Sequence, residues 1–231
     1  LEKAQPFLNI VDSKFNEATP VFTKDGKTMY FTRNNYNEGK KGKDTQGTTL
    51  LKLYKATLEN GKWTNVKELP FNSDDFSTAH PALSPDEKTL YFASNRPGTL
   101  GESDIYKVAI YNNDLFGIPE NLGSTINTEG KETFPFVSAE NELYFSSNGH
   151  PGLGGLDVFV AKISSNGSFE KVSNIGTPIN GPMDDFAFII NINTHKGFFS
   201  SNREGGKGYD DIYQFTEIRK LTCEQLLSGT V

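Results

Sequence analysis

A single cysteine, Cys223, stands in 231 residues. It excludes an internal disulfide and leaves no cysteine-based zinc site. Lack of disulfides suits cytoplasm and periplasm alike, so composition does not place the protein. Histidine is nearly as scarce. His80, His150 and His195 are far apart in the chain, and no nucleophile or metal-ligand spacing accompanies them. No apolar run reaches the roughly 18–20 residues of a membrane-spanning helix, and no secretory leader is visible. The chain opens on Leu1 and not Met, which reads as a piece of a longer protein with Leu1-Glu2 as a cloning scar. Basic charge is short as well: 23 Lys and Arg face 29 Asp and Glu, for a net charge of −6 and a pI near 5.2. A nucleic-acid binder would show a basic stripe. The exception is Lys40, Lys41, Lys43, Lys52 and Lys55, a cluster that by itself is ordinarily a solvated face.

What is plentiful is Phe (18), Tyr (9), Gly (22) and Pro (11), which suits short strands joined by tight turns. The length is enough for one large all-β domain with its own core. LYFSSNGHPGLGGLDVFV (143–160) reads as strand, Gly-rich turn, strand. It returns as LYFASNRPGTLGESDIYKV (90–108) and FFSSNREGGKGYDDIYQF (198–215), and in a stretched copy as MYFTRN (29–34) with LKLYKATL (51–58). The Asn-to-Asp spacing is nine in each close copy: Asn95 to Asp104, Asn148 to Asp157, Asn202 to Asp211. The period, taken from Phe31, Phe92, Phe145 and Phe199, is 61, then 53, then 54. Repeats of roughly 40–50 residues built from short strands point to a β-propeller.

Each repeat reads as a four-stranded antiparallel blade. In the third, the strands are ETFPFVS (132–138), ELYFSSN (142–148), DVFVAKI (157–163) and FEKVSNIG (169–176), and TPINGP (177–182) crosses to the next blade. KDGK (24–27) and PDEK (85–88) turn between first and second strands, with Pro85 presetting φ and Gly26 accepting a positive one. Asn95, Asn148 and Asn202 end a strand where a side-chain carbonyl can bond the following backbone. Asp104, Asp157 and Asp211 begin the next strand, placed to accept N–H groups across the loop. These six form a structural latch; a calcium site would need more carboxylates than GHPGLGGLD provides. The blades are expected near 17–72, 75–127, 129–180 and 183–215, within a propeller of 1–216. Residues 6–12 parallel a fourth strand, either pairing with the last blade to close the ring or standing as the remnant of an upstream blade. Residues 217–231 leave the repeat as a linker.

TKDGKTMYFTRNNYNEGKKGKD (23–44), SPDEKTLYFASNRPGTLGESDIYKV (84–108), GHPGLGGLDVFVAKI (149–163) and DDFAFII…FFSSNREGGKGYDDIYQF (184–215) resemble the TolB-like, WD-type propeller of OmpA-family proteins from Bacteroidota. CEQLLSGTV (223–231) resembles the entry into the carboxypeptidase-regulatory-like domain that follows it there. The resemblance implies a periplasmic, outer-membrane-associated parent and a fifth, upstream blade. It further implies a separate peptidoglycan-binding domain, and secretion or gliding proteins as partners; some such proteins, PorE among them, belong to the type IX secretion apparatus. In one departure, Lys52 stands where the other repeats have Asp.

Two binding sites are expected. The longest loop, RNNYNEGKKGKDTQGTT (33–49), offers Tyr36 with Lys40, Lys41 and Lys43 as an aromatic and basic tip for a protein or anionic polymer. Aligning Pro20, Pro81, Pro135 and Phe188 puts Glu17, Thr78, Glu132 and Asp185 at one level, a partial ring of acids for a cation or basic peptide at the channel mouth. SSN at 146–148 and 200–202 recurs and is therefore repeat structure, and GLGG (152–155) opens no helix, so it is no phosphate loop. The expectation is a non-enzymatic protein-interaction scaffold with no cofactor and no metal; the alternative is a glycan- or peptide-binding propeller with its ligand at the channel mouth.

Overall fold

The computed structural model describes residues 17–37, 39–111 and 115–218. It is a β-propeller of four antiparallel blades, all-β throughout. Blade 1 holds β1 (Glu17–Phe22), β2 (Thr28–Asn34), β5 (Leu51–Glu59) and β6 (Lys62–Glu68). A small hairpin, β3 (Tyr36–Asn37) with β4 (Lys40–Lys41), rises from the loop between β2 and β5. Blade 2 holds β7 (Thr78–Leu83), β8 (Thr89–Ser94), β9 (Asp104–Ala109) and β10 (Glu120–Asn121). Blade 3 holds β11 (Glu132–Val137), β12 (Glu142–Ser147), β13 (Asp157–Lys162) and β14 (Ser173–Asn174). Blade 4 holds β15 (Asp185–Asn191), β16 (Lys196–Ser201) and β17 (Asp211–Thr216), and is three-stranded among the described residues. The inner strands follow one another about the axis, β1 beside β7, β7 beside β11 and β11 beside β15. Residues 6–12 and the tail after Ile218 lie outside the described residues.

Strand alternation explains how the blades stack. Successive side chains of a strand point to opposite faces. On β8, Leu90 and Phe92 pack toward blade 1 while Tyr91 packs toward blade 3. On β12, Leu143 and Phe145 pack toward blade 2 while Tyr144 packs toward blade 4. Phe92 and Phe145 are nearly solvent-free, and each such ring contributes about 2–3 kcal/mol by burial. The repeat also places one aromatic pair directly across the second and third strands of every blade: Phe31 on Tyr54 (5.8 Å between centroids), Phe92 on Tyr106 (6.0 Å), Phe145 on Phe159 (6.0 Å) and Phe199 on Tyr213 (5.5 Å). Cross-strand aromatic pairs of this kind hold a sheet's register.

The fourth strand of blade 3 is shorter than the sequence suggests. FEKVSNIG contributes only Ser173–Asn174 to the ladder, with one isolated bridge from Phe169 to Ile163. Beyond the strand an asparagine takes over at the other end of the ladder. The Asn180 side chain accepts the Val158 N–H (2.9 Å) and donates to the Val158 carbonyl (2.8 Å), standing in for a neighbouring backbone. Asn127 does the same for Ile105, and Asn72 for Leu53.

The six latch residues act as two latches. Asp157 accepts the N–H groups of Leu153 and Gly154, and Asp211 those of Lys207 and Gly208, so each aspartate gathers its own Gly-rich loop. Asp104 does likewise with Leu100 and Gly101. The asparagines reach elsewhere than expected. Asn95, Asn148 and Asn202 accept the N–H groups of Ser77, Lys131 and Asp184, residues of the connection that precedes the inner strand of the same blade. That connection lies beside the end of the second strand, closer than the backbone that follows the asparagine.

One feature of the inner strands has no forerunner in the sequence reading. Each carries a bulge at the same place, and its first residue is left-handed: Thr19 (φ 48°), His80 (φ 56°), Phe134 (φ 47°) and Ala187 (φ 53°). A proline follows in three of the four, at positions 20, 81 and 135. Proline has no N–H to give a ladder, so a bulge is where an inner strand tolerates it.

Candidate functional site

The four bulges converge on the axis and border a cavity of about 830 Å³. It opens at the end of the propeller that carries the hairpins between first and second strands. Its wall is mainly apolar, with Phe22 and Pro85 from blades 1 and 2, Phe136 from blade 3, and Ile189 and Phe198 from blade 4. Its inner end is aromatic. The His80 ring lies 3.8 Å from the Phe134 ring at 13°, and Phe134 lies 5.0 Å from Phe186, so three blades contribute to one stack. Nδ1 of His80 is 2.6 Å from the Thr133 hydroxyl, and the His80 N–H donates to Thr32 Oγ1. A minor part of the ring faces the cavity. Burial pushes the imidazole down to about 4, so it is neutral at physiological pH. Charge sits at the rim, where Lys24, Glu87 and Lys196 are the charged side chains among the described lining residues. Glu87 also accepts the Lys24 N–H, tying the hairpins of blades 1 and 2. The hydroxyl–carboxylate pair at the rim, Ser84 to Asp86 at 2.6 Å, closes a turn and also receives the Lys88 N–H. The chemistry of this cavity is therefore burial of an apolar or aromatic group against rings, with polar selection at the entrance.

The acids expected at the channel mouth lie at the opposite end. They do share a level: Glu17, Thr78, Glu132 and Asp185 pair across the sheet with Arg33, Ser94, Ser147 and Ser201. They do not form an open ring. Glu132 is fully buried and accepts the Thr128 N–H (2.7 Å), the Thr128 hydroxyl (2.7 Å) and the Ser147 hydroxyl (2.6 Å). Asp185 is fully buried and accepts the Gly181 N–H and an Arg203 Nη2–H, each at 2.6 Å. The connections above β11 and β15 turn tightly, and their inward N–H groups bond the Glu132 and Asp185 carboxylates. A cation at that level would have to displace these bonds.

Tyr36, Lys40 and Lys41 come together in the β3–β4 hairpin, with Tyr36 opposite Lys41, and Lys43 follows just beyond. The three lysines are exposed and Tyr36 is half-buried. The hairpin stands on Tyr54, whose hydroxyl accepts the Tyr36 N–H at 3.3 Å. Lys52 is buried and bridges Glu68 (2.7 Å) and Asp74 (2.6 Å). Burial pulls its pKa down, but hydrogen bonds and charge from the two acids more than reverse this, leaving it raised.

Sequence reasoning missed His80 and Phe134 as cavity residues. The available signal was the residue before proline at one fixed point of each repeat, AT-P, AH-P and TF-P. It missed the stacked arginines too. Arg96 lies 4.9 Å over Phe92 and 5.0 Å over Tyr106, and Arg203 4.8 Å over Phe199 and 5.0 Å over Tyr213. Both cap a blade and hold its neighbouring connection, through Phe71 O for Arg96 and Ile179 O for Arg203.

No protein-family model matches the sequence, and no curated protein matches it. Among solved structures, the chain is similar to TolB from Acinetobacter baumannii, with 19% identity, a TM-score of 0.53, and 86% of this chain covering 40% of that one. It is similar to an α-L-arabinofuranosidase from Lactobacillus brevis, with 15% identity, a TM-score of 0.54, and 87% of this chain covering 72% of that one. A puromycin-hydrolysing peptidase from Mycobacterium tuberculosis gives 14% identity, a TM-score of 0.52, and 88% of this chain on 27% of that one. The chain thus spans well under half of the TolB and peptidase chains. At these identities the likeness is one of fold alone: the chain shares the β-propeller architecture that TolB, a glycosidase and a peptidase contain.

Proposed function

We propose that this propeller is a non-enzymatic protein-interaction scaffold that receives apolar side chains of a partner's peptide segment in its central cavity. The observation that carries the reading is the cavity itself: an apolar wall to which all four blades contribute and an aromatic inner end from three of them, with charges confined to the rim. Rigid strands hold these groups in place, so a partner's aromatic or aliphatic anchor loses water without the site having to reorganise. We take the domain, on its motif resemblance, as part of a periplasmic OmpA-family parent that is associated with the outer membrane and bound to peptidoglycan through a separate domain. In that setting the partners are proteins of the type IX secretion or gliding machinery.

The test is affinity purification of the full-length parent from its native membranes, with three forms compared. These are wild type, Ile189→Glu with Phe198→Glu, and a version whose 36–46 loop is replaced by a short Gly-Ser turn. Ile189 and Phe198 line the cavity yet are 47% and 38% exposed, so the charges enter the mouth without entering the core. The proposal expects the cavity variant to lose its protein partners. Full retention by that variant would sink it. A glycan that raises the melting temperature of the wild type, with no protein co-purifying, would replace it with a ligand-binding reading.

A further inference from the structure

Blade 1 breaks the repeat at one cross-strand pair. Ser94 faces Asp104, Ser147 faces Asp157 and Ser201 faces Asp211. In blade 1 the same two places hold Arg33 and Lys52. Two cations directly opposite each other across a sheet are unfavourable unless something neutralises them. Lys52 is neutralised by Glu68 and Asp74. Arg33 has Glu17 across from it on the other side, yet among the described residues no ion pair joins Arg33 to a carboxylate.

The internal comparison sharpens the point. Arg203 donates to the carbonyls of Pro178 and Ile179, to Ser201 Oγ and to the Asp185 carboxylate. Arg33 is 7% exposed and, among the described residues, makes one such bond, from Nη2 to the Tyr36 carbonyl at 3.0 Å. Its Nε is buried without a partner. Its guanidinium lies 4.0 Å from the centroid of the Tyr54 ring, which holds the fork in place. Arg33 also lines a pocket of about 570 Å³ together with Tyr36, Asn37, Val66, Lys67 and Glu68. Glu68, the acid of that wall, already accepts from Lys52 and from Asn37 Nδ2 (2.6 Å). Lys67 is exposed. From residue 33 to residue 67 the chain carries eight Lys or Arg against three acids, in a protein of net charge −6.

We propose that this pocket binds the side-chain carboxylate of an acidic protein segment, with Arg33 as the recognising group and Lys67 as a second, rim cation. A planar, stacked guanidinium matches a carboxylate bidentately, and a mostly buried cation that no described carboxylate pairs is stabilised most by one supplied from outside. The Lys40, Lys41 and Lys43 hairpin beside it steers acidic chains to the site. This proposal does not depend on the central cavity, and either can fail alone.

The probe is a fluorescent peptide with three consecutive Glu residues, compared with its Gln counterpart by anisotropy against the whole 231-residue chain. The Glu peptide should bind at least about tenfold more tightly than the Gln peptide, and weaken between about 50 and 300 mM salt. Arg33→Lys should lose about tenfold because a point charge cannot reproduce the fork, and Lys67→Glu should weaken binding at unchanged melting temperature. Arg33→Met serves as a further check if it folds; the exposed Lys67 variant keeps the test decisive if it does not. Ile189→Glu should bind like wild type. The proposal is overturned if Glu and Gln peptides bind alike, if the Glu peptide does not bind, or if both Arg33→Lys and Lys67→Glu bind like wild type. It is equally overturned if inorganic phosphate displaces the peptide at millimolar concentration with the same dependence on Arg33, which would make this a general anion pocket.

Discussion

Acidification should destabilise this propeller well above the carboxylate range, through His80. Its imidazole is held at about 4, against an ordinary value of 6.5, because burial against Phe134 penalises the charged form. In the unfolded chain the ring titrates normally and binds a proton first as pH falls. The stabilisation from the neutral ring is therefore complete above about pH 6.5 and is lost as pH falls from there toward about 4. At pH 5 the unfolded state is mostly protonated and the folded state mostly not, a difference of about 2 kcal/mol. The partial exposure of His80 at the cavity trims this to about 1–2 kcal/mol. The assay is urea unfolding of wild type and His80→Phe at pH 7.5 and pH 5. Phenylalanine keeps the stack on Phe134 but cannot titrate, so wild type should lose about 1–2 kcal/mol more than the variant between the two pH values. Parallel losses in the two proteins, within about 0.5 kcal/mol, would refute the reasoning. A titration of the His80 ring by NMR with a midpoint near 6.5 would refute it independently.

Removing the Lys52 charge should cost about 1–3 kcal/mol. Lys52→Met leaves Glu68 and Asp74 facing each other without their bridge, with their side-chain exposures of 28% and 58% keeping the loss below that of a wholly buried pair. Urea midpoints at pH 7 measure it, and an unchanged midpoint would count against the bridge. Asn180→Ala should cost about 2–3 kcal/mol by orphaning the Val158 N–H and carbonyl. Hydrogen exchange at the Val158 amide should accelerate far more than at Phe145 in the same protein; equal protection would show that water or a neighbour replaces the side chain. Ala187→Gly should raise stability by about 0.5–1 kcal/mol, because a left-handed backbone strains alanine and not glycine. A lower melting temperature in that variant would mean that the unfolded-chain entropy of glycine outweighs the relief.

Much of the scaffold was legible because it recurs. Phe92, Phe145 and Phe199 mark the second strand of their blades, and the aspartate nine residues after each latch asparagine gathers the loop as its position suggests. Local patterns carry such features, since the partners lie within a few residues. The asparagine bonds, the truncated fourth strand and the cavity depend on partners from other segments. Asn72, Asn127 and Asn180 recur visibly, yet their task is to replace backbone on a strand about twenty residues earlier, which no local pattern states. Glu132 and Asp185 stood at the right level but point their carboxylates at their own connections, because the geometry of a tight turn above them is invisible in residue types. The stack of His80, Phe134 and Phe186 unites three repeats at unequal positions, and only wrapping the blades about an axis brings it together. Lys52 was visible as an exception; the opposing Arg33 was not, since its significance lies in what the pairing of strands sets across from it.

The left-handed bulges carry a wider consequence. One backbone shape at one place in every blade is occupied by threonine, histidine, phenylalanine and alanine in turn. The main chain fixes where these side chains sit, with a proline beside three of the four, so their chemistry can change while the strand path is kept. They behave like the tumblers of a lock, whose housing stays constant while each pin is cut separately. A propeller built this way can exchange the chemistry of its bore one pin at a time, and relatives with the same housing are expected to differ most at the positions equivalent to 19, 80, 134 and 187.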